Sequence, residues 1–445
     1  MLMHSLKSIM RFLSLAAAVL IISAAGADQK DGVITLRIED TDKDRRSVTV
    51  IPAERKDPAP LPEIKAASAV LMDVNTGQVL YSANPDVKRP NASTTKIMTA
   101  ILAIENCKMT DTITAGEKAC ETPFTSIHLK PGEKISAKDL LTGMMVRSAN
   151  DAAVVFAKHM AGTLDKFSEM MNKKAKEIGC KNTHFVTPHG LHDKNHYSTA
   201  FDLCLIARYA FRYPIFNEVV AVRKHALDSR TLNREDLVVF SKSKYLKNYP
   251  GADGVKSGYV KEAGYCYVGS ATRDGWRLVS CVLKSDNAGR DTAAVMDYGF
   301  NNFRQHTVME AAKHCSLAQV RGGAEKRVKM LTAGDLKVVV PKTGAEIITE
   351  VKADPVTAPV EKGAKLGKMT ASVNGVEAGS VDLVAAEAVD ISFLRKTVPY
   401  LKGCGILVVC MVGGHYGTAI AKAAKSASRR RRRVPSSLRR TNRWR

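Results

Sequence analysis

Strand-like runs stand at both ends of a long helical middle, and this order restricts the fold more than any other feature of the chain. Residues 67–84 read as a β-hairpin: an apolar run, Asn75-Thr76-Gly77 at the turn, then Gln78-Val79-Leu80-Tyr81. Helical periodicity follows over 93–105, 137–145, 149–161, 164–178 and 199–212. Strand-like runs return at 265–271 and 277–283, separated by the turn signal Arg273-Asp274-Gly275, and a helix is expected over 292–303. Strands outside a helical middle point to an α/β (α+β) domain with helices on an antiparallel sheet. Short β-rich runs at 336–340 and 346–351, with Gly and Pro turns, set 328–389 apart as a second, smaller all-β domain.

The chain has 445 residues, more than the roughly 250–300 that one core usually holds, so two or three domains are expected. Residues 1–27 read as a signal peptide. Lys7 and Arg11 give a positive start, 12–25 is apolar and small, and Ala25-Gly26-Ala27 has the form of a cleavage site. An uncleaved membrane anchor fits the same residues, and both readings export the remainder of the chain. Residues 28–62 read as a polar linker ending in Asp57-Pro58-Ala59-Pro60-Leu61-Pro62, since Pro at this density stiffens a chain and blocks helix. Two alternating runs inside it, 34–38 and 47–51, have the form of strands without an assigned role. The α/β domain is expected over 63–308, the β domain over 309–390, a linker and transmembrane helix over 391–421, and a basic tail over 422–445.

The formal net charge is +23, but 422–445 holds two Lys, nine Arg and no acid, so +11 of it sits in the tail. That removes most of the support for a nucleic-acid partner. Residues 403–421 give 19 positions without a formal charge if His415 is neutral, close to the ~20 that a span needs. Five glycines and His415 dilute the stretch, and a helix lying on the outer membrane face is the competing reading. Lys422, Lys425 and Arg429 to Arg433 come directly after it, which by the positive-inside rule favours a crossing with a cytoplasmic tail. The nine cysteines form no CxxC pair and no compact framework, and no Cys/His spacing suggests zinc.

Ser93-Thr94-Thr95-Lys96 opens a helical pattern after Pro90. Serine there is ordinarily a cap. Yet Lys96 lies one turn on, on the same face, where a lysine of lowered pKa can take the serine proton. A lone Ser-x-x-Lys is weak evidence. Ser148-Ala149-Asn150 reads equally as a helix cap, and Lys256-Ser257-Gly258 as a turn. Their order, at spacings of 55 and 108 residues, is what carries weight, because a close variant of this triple marks penicillin-binding proteins and related β-lactamases.

The surrounding residues make the resemblance specific. Ala69-Val-Leu-Met-Asp73 with Thr76-Gly77, Arg89-Pro90, Ser93-Thr-Thr-Lys-Ile-Met-Thr99, Met144-Met-Val-Arg-Ser148-Ala-Asn-Asp-Ala-Ala153, Asn182-Thr-His-Phe185 with Pro188-His-Gly-Leu-His192, Tyr197-Ser-Thr-Ala200 with Asp202, and Gly254-Val-Lys-Ser-Gly258 closely resemble the serine-type D-alanyl-D-alanine carboxypeptidases, the low-molecular-mass penicillin-binding proteins. The resemblance implies the penicillin-binding-protein/β-lactamase-like transpeptidase fold followed by a small all-β domain. It implies Ser93 as nucleophile, Lys96 as general base and Ser148 as proton relay. Asn150, Lys256, Ser257, Gly258 and the backbone of Tyr259 would bind substrate, the last with Ser93 as the oxyanion hole, and Arg290 would bind the terminal carboxylate. The substrate implied is the peptidoglycan pentapeptide, with β-lactams as covalent inhibitors, no metal or organic cofactor, and a site on the outer face of the cytoplasmic membrane.

The departures are Lys256-Ser257-Gly258 where the family usually has Lys-Thr-Gly, Asn91 before Ala92, and Tyr259-Val260 after the glycine where the family often has a polar pair; they bear on substrate preference and remove no catalytic group. No Glu-x-x-Leu-Asn lies between the second and third motifs, which argues against a class A β-lactamase. A crosslink-cleaving endopeptidase and an inactive wall-binding homologue remain as alternatives.

Overall fold

The computed structural model describes residues 28–431 apart from 31–32, 40–43, 52–53, 55–56, 58–59 and 233–236. Residues 1–27, read above as a signal peptide, and residues 432–445 of the basic tail lie outside the described residues. The expected hairpin forms as Ser68–Asp73 and Val79–Ala83. It pairs with strands from the far end of the domain, in the order Ala252–Val260, Gly264–Arg273, Trp276–Ser285, Ser68–Asp73, Val79–Ala83, all antiparallel. Ser68–Asp73 is buried throughout because helices cover one face and Ala288–Asn302 the other. The helical middle supplies Lys96–Asn106, Asn150–Ala161, Leu164–Ile178 and Ala200–Ala210, packed in one continuous apolar core.

Chain order thus brings Ala252–Val260 to the sheet edge, against the short 3-10 turn Ala92–Thr95. The Lys-Ser-Gly motif lies on that strand rather than in a turn. Its three residues read too polar for a strand because the edge faces the site instead of a second strand.

The second domain begins at Phe303, a little before the expected 309, and has its own core. Its strands alternate buried and exposed residues, as Val328, Met330 and Thr332 do within Arg327–Thr332. Residues 28–62 are not a plain linker. Asp28–Lys30, Val33–Glu39 and Asp44–Ile51 form strands, and the last pairs with Ala345–Ala353 of the β domain from Ile51↔Ala345 to Asp44↔Lys352. Ile51 is buried in that domain's core, and Ser47 Oγ lies 2.5 Å from Thr349 Oγ1. The chain therefore crosses between the domains twice.

A C-terminal helix, Phe393–Arg431, runs through the expected membrane segment. Among the described residues no helix is long and apolar enough to cross a membrane.

Candidate active site

Ser93 stands in the turn Ala92–Thr95, which runs directly into the helix Lys96–Asn106. Asn91, expected to influence substrate preference, is fully buried, and its Nδ2 donates to Thr94 Oγ1 at 3.2 Å and Thr95 Oγ1 at 2.9 Å. It shapes the turn that carries Ser93 instead of facing a ligand.

Lys96 is fully buried, and its Nζ meets three oxygens: Ser93 Oγ at 2.9 Å, Asn150 Oδ1 at 2.8 Å and the His189 carbonyl at 2.9 Å. Asn150 Nδ2 donates to the Pro123 carbonyl at 2.8 Å, so the side of the amide facing Lys96 is its oxygen. Two of the three partners are therefore pure acceptors and require N–H groups from the amine. A neutral amine has two N–H groups and one lone pair. With both N–H groups committed to Asn150 and His189, the lone pair is left for the Ser93 hydroxyl. Burial drives the Lys96 pKa well below its ordinary value, and the neighbouring Lys256 charge lowers it further against the opposing effect of Asp151.

Lys256 is buried on the sheet edge, its Nζ donating to the Ser257 carbonyl at 2.9 Å, and burial pushes its pKa down to about 7. Gly258 lies against Ser93: a Cβ there would sit 2.7 Å from the Ser93 nitrogen, so only glycine lets the strand come this close. Ser257 and Tyr259 alternate with these two and are exposed.

Ser148 sits in the left-handed conformation, φ 68°, between the turn Gly143–Arg147 and the helix Asn150–Ala161. Among the described residues its Oγ makes no hydrogen bond, so it does not join the contacts around Lys96. Arg290 is exposed on the first turn of Ala288–Asn302, and its guanidinium makes no ion pair among the described residues. The geometry thus brings together Ser93, Lys96 and Asn150, with Lys256 and Gly258 alongside, and leaves Ser148 and Arg290 unattached.

Several supporting residues carry no motif signal. His196 Nδ1 accepts from the backbone nitrogens of Val186 and Thr187, at 3.0 and 3.2 Å, so its proton is on Nε2 and points to Thr95 Oγ1 at 2.8 Å. Burial pushes His196 down to about 4 and His189 down to about 3, keeping both rings neutral at pH 7. At Gly190 a Cβ would fall 1.8 Å from the Ala92 carbonyl, so this loop presses directly on the turn before Ser93. The stretch Pro188-His189-Gly190 belongs to the family resemblance, but nothing in its residue types shows that a carbonyl there holds Lys96.

Comparison with known proteins decides the family. The model of D-alanyl-D-alanine carboxypeptidases matches residues 54–287, and that of the penicillin-binding protein 5 C-terminal domain matches 303–390. The chain belongs to the D-alanyl-D-alanine carboxypeptidase family. D-alanyl-D-alanine carboxypeptidase DacF of Bacillus subtilis is 32% identical over 351 residues, covering 75% of this chain and 89% of its own. DacA of Escherichia coli is 30% identical over 366 residues, covering 77% and 88%. Penicillin-binding protein 5 of Haemophilus influenzae superposes with a TM-score of 0.64 at 29% identity, over 75% of this chain and 99% of that one. The Streptomyces K15 DD-transpeptidase gives 0.51 at 30% identity, over 55% and 100%. The strands of residues 28–51 precede both family matches.

For a D-alanyl-D-alanine carboxypeptidase with this geometry, kcat/KM should be bell-shaped in pH. It should rise as Lys96 loses its proton and fall as Lys256, with its pKa near 7, loses the charge available to a substrate carboxylate. The amines repel each other, so the two limbs belong to the pair. A profile flat from about pH 5 to about 10 would contradict a lysine base.

Proposed function

We propose that the chain removes the terminal D-alanine from peptidoglycan pentapeptide stems through an acyl-enzyme on Ser93, and that β-lactams acylate the same hydroxyl. The observation that carries this reading is Lys96 Nζ at 2.9 Å from Ser93 Oγ, with its other two partners acceptors, so that a neutral amine turns its lone pair to the hydroxyl. Lys96 takes the hydroxyl proton as Oγ bonds to the carbonyl carbon of the penultimate D-alanine. The peptide C–N bond then breaks, and the leaving amine receives a proton through Ser148. Water hydrolyses the ester and restores Ser93. Asn150 holds the substrate amide. Lys256 and Ser257 hold its carboxylate, with the exposed Arg290 as a further partner for it. Gly258 lets the Tyr259 and Ser93 N–H groups share the oxyanion, and one such donor is worth on the order of 3 kcal/mol.

A fluorescent penicillin should label the wild type and leave Ser93→Ala unlabelled at unchanged thermal stability, while pentapeptide loses D-alanine only with the wild type. Labelling of Ser93→Ala at the wild-type level would overturn the assignment. Product analysis on a crosslinked dimer separates carboxypeptidase from endopeptidase action.

We further propose that the chain is exported and held at the outer face of the cytoplasmic membrane by the helix Phe393–Arg431. The apolar start of the sequence and the basic residues from Lys422 onward support this. Charge placement favours a crossing with the basic tail inside, and a helix lying in the membrane interface is the competing reading. Protease added to intact protoplasts should then spare an epitope placed after Arg445. Loss of that epitope without lysis would show instead that the tail is outside.

A further inference from the structure

Phe124 lies in the segment that wraps Asn150. The residue before it, Pro123, accepts from Asn150 Nδ2 at 2.8 Å, and the residue after it, Thr125, accepts from the Asn150 backbone nitrogen at 2.7 Å. Asn150 in turn bonds Lys96, and Lys96 bonds Ser93. Phe124 is thus bound into the site from both sides, yet its own ring is 80% exposed.

Its backbone is also unusual. Phe124 has φ 70°, in the left-handed region that a bulky side chain occupies only at a cost. Among the described residues, nine non-glycine positions have positive φ. Two of them, Ala92 beside the nucleophile and Ser148 in the second motif, already belong to this site. Such strain persists where surrounding contacts dictate it and collects at functional sites. Here the contacts are strong. Asp151 accepts from Ser126 Oγ at 2.6 Å and Leu129 N at 3.1 Å, and the buried Arg230–Glu133 pair, at 2.8 Å, ties in the carbonyl of Ile127. A well-bonded loop therefore presents an apolar ring to solvent, held next to Asn150 by the residues on either side of it.

A single exposed apolar residue is ordinarily unremarkable. The combination of exposure, left-handed backbone and flanking bonds to a motif residue is not. On the Lys-Ser-Gly strand, Tyr259 is exposed and its ring centroid lies 4.7 Å from that of Tyr265, a second exposed aromatic surface next to a motif residue.

We propose that Phe124 is a specificity-determining residue for the acyl-donor peptide, forming the wall on which the aliphatic side chain preceding D-alanyl-D-alanine packs. The carboxylate end of the substrate is the business of Lys256 and Ser257, and the reacting carbonyl meets Ser93. The amino-terminal part of the peptide passes Asn150 and then meets this ring. The proposal rests on the carboxypeptidase reading.

The test compares two peptides, diacetyl-L-lysyl-D-alanyl-D-alanine and acetyl-D-alanyl-D-alanine, with D-alanine release as the readout. In the wild type the lysyl peptide should have the higher kcat/KM. Phe124→Ser and Phe124→Gly should each lower the ratio of the two kcat/KM values about tenfold, the scale of burying one aromatic face. Phe124→Leu should hold the ratio within about threefold of wild type, since an apolar wall remains. Penicillin labelling at Ser93 confirms that each variant is folded, and Phe124→Gly, which accepts the left-handed backbone freely, should melt no lower than wild type. An unchanged ratio in both the Ser and Gly variants overturns the proposal while leaving the carboxypeptidase reading intact. A wild type that releases D-alanine from neither peptide overturns both.

Discussion

The structure turns on one buried amine. Lys96 is fully buried, and burial together with the Lys256 charge holds its pKa well below the ordinary lysine value, which favours the neutral amine. The fold then determines what the neutral amine does. It surrounds Nζ with one amide oxygen, one carbonyl and one hydroxyl, of which only the hydroxyl can give up a proton. The acceptors around Nζ leave the lone pair of a neutral Lys96 no use but the Ser93 hydroxyl, the arrangement that would make an ordinary serine a nucleophile.

Few of the groups around that amine are neighbours in sequence. Ser93 and Lys96 share a turn, but Asn150 opens another helix, the His189 carbonyl comes from a loop, and Lys256 comes from the sheet edge. Each segment is held by its own device. Asn91 and His196 fix the nucleophile's turn through Thr95, Gly190 and Gly258 allow close backbone approach from two directions, and Asp151 anchors the loop beneath Asn150. The second domain takes no part in these contacts. Its sheet takes in the strands from residues 28–51, so the catalytic domain is bracketed by two chain crossings into the same β domain.

Much of this was legible in the sequence. The hairpin at 67–84 and the helices around Ser93, Asn150 and Leu164 follow from local periodicity, and the structure places them within a few residues of expectation. The order of the three motifs led to Ser93, Lys96, Asn150 and Lys256, which the fold brings together. The features that stayed hidden depend on partners distant in sequence. The run 47–51 alternates as a strand does, but its partner lies about three hundred residues away in Ala345–Ala353. His189 contributes a backbone carbonyl, which no side chain advertises. Ser148 matched its motif yet makes no bond to the group around Lys96, and the left-handed backbone of Phe124 could not be read from a segment lacking glycine. The C-terminal segment shows the same limit from the other side: its basic residues signal orientation, whereas its glycines and His415 dilute the apolar content on which a crossing depends.

The central claim is that Lys96 is neutral when Ser93 is ready to react. Nuclear magnetic resonance titration of the full chain carrying 13C-labelled lysine side chains, with the Lys96 signal assigned through Lys96→Arg, reads this directly. The account predicts that the Lys96 carbon next to nitrogen titrates well below the ~10.4 of a free lysine and is in its neutral form where kcat/KM is greatest. A Lys96 that holds its proton to the ordinary lysine value, with Ser93 still open to acylation, would contradict it.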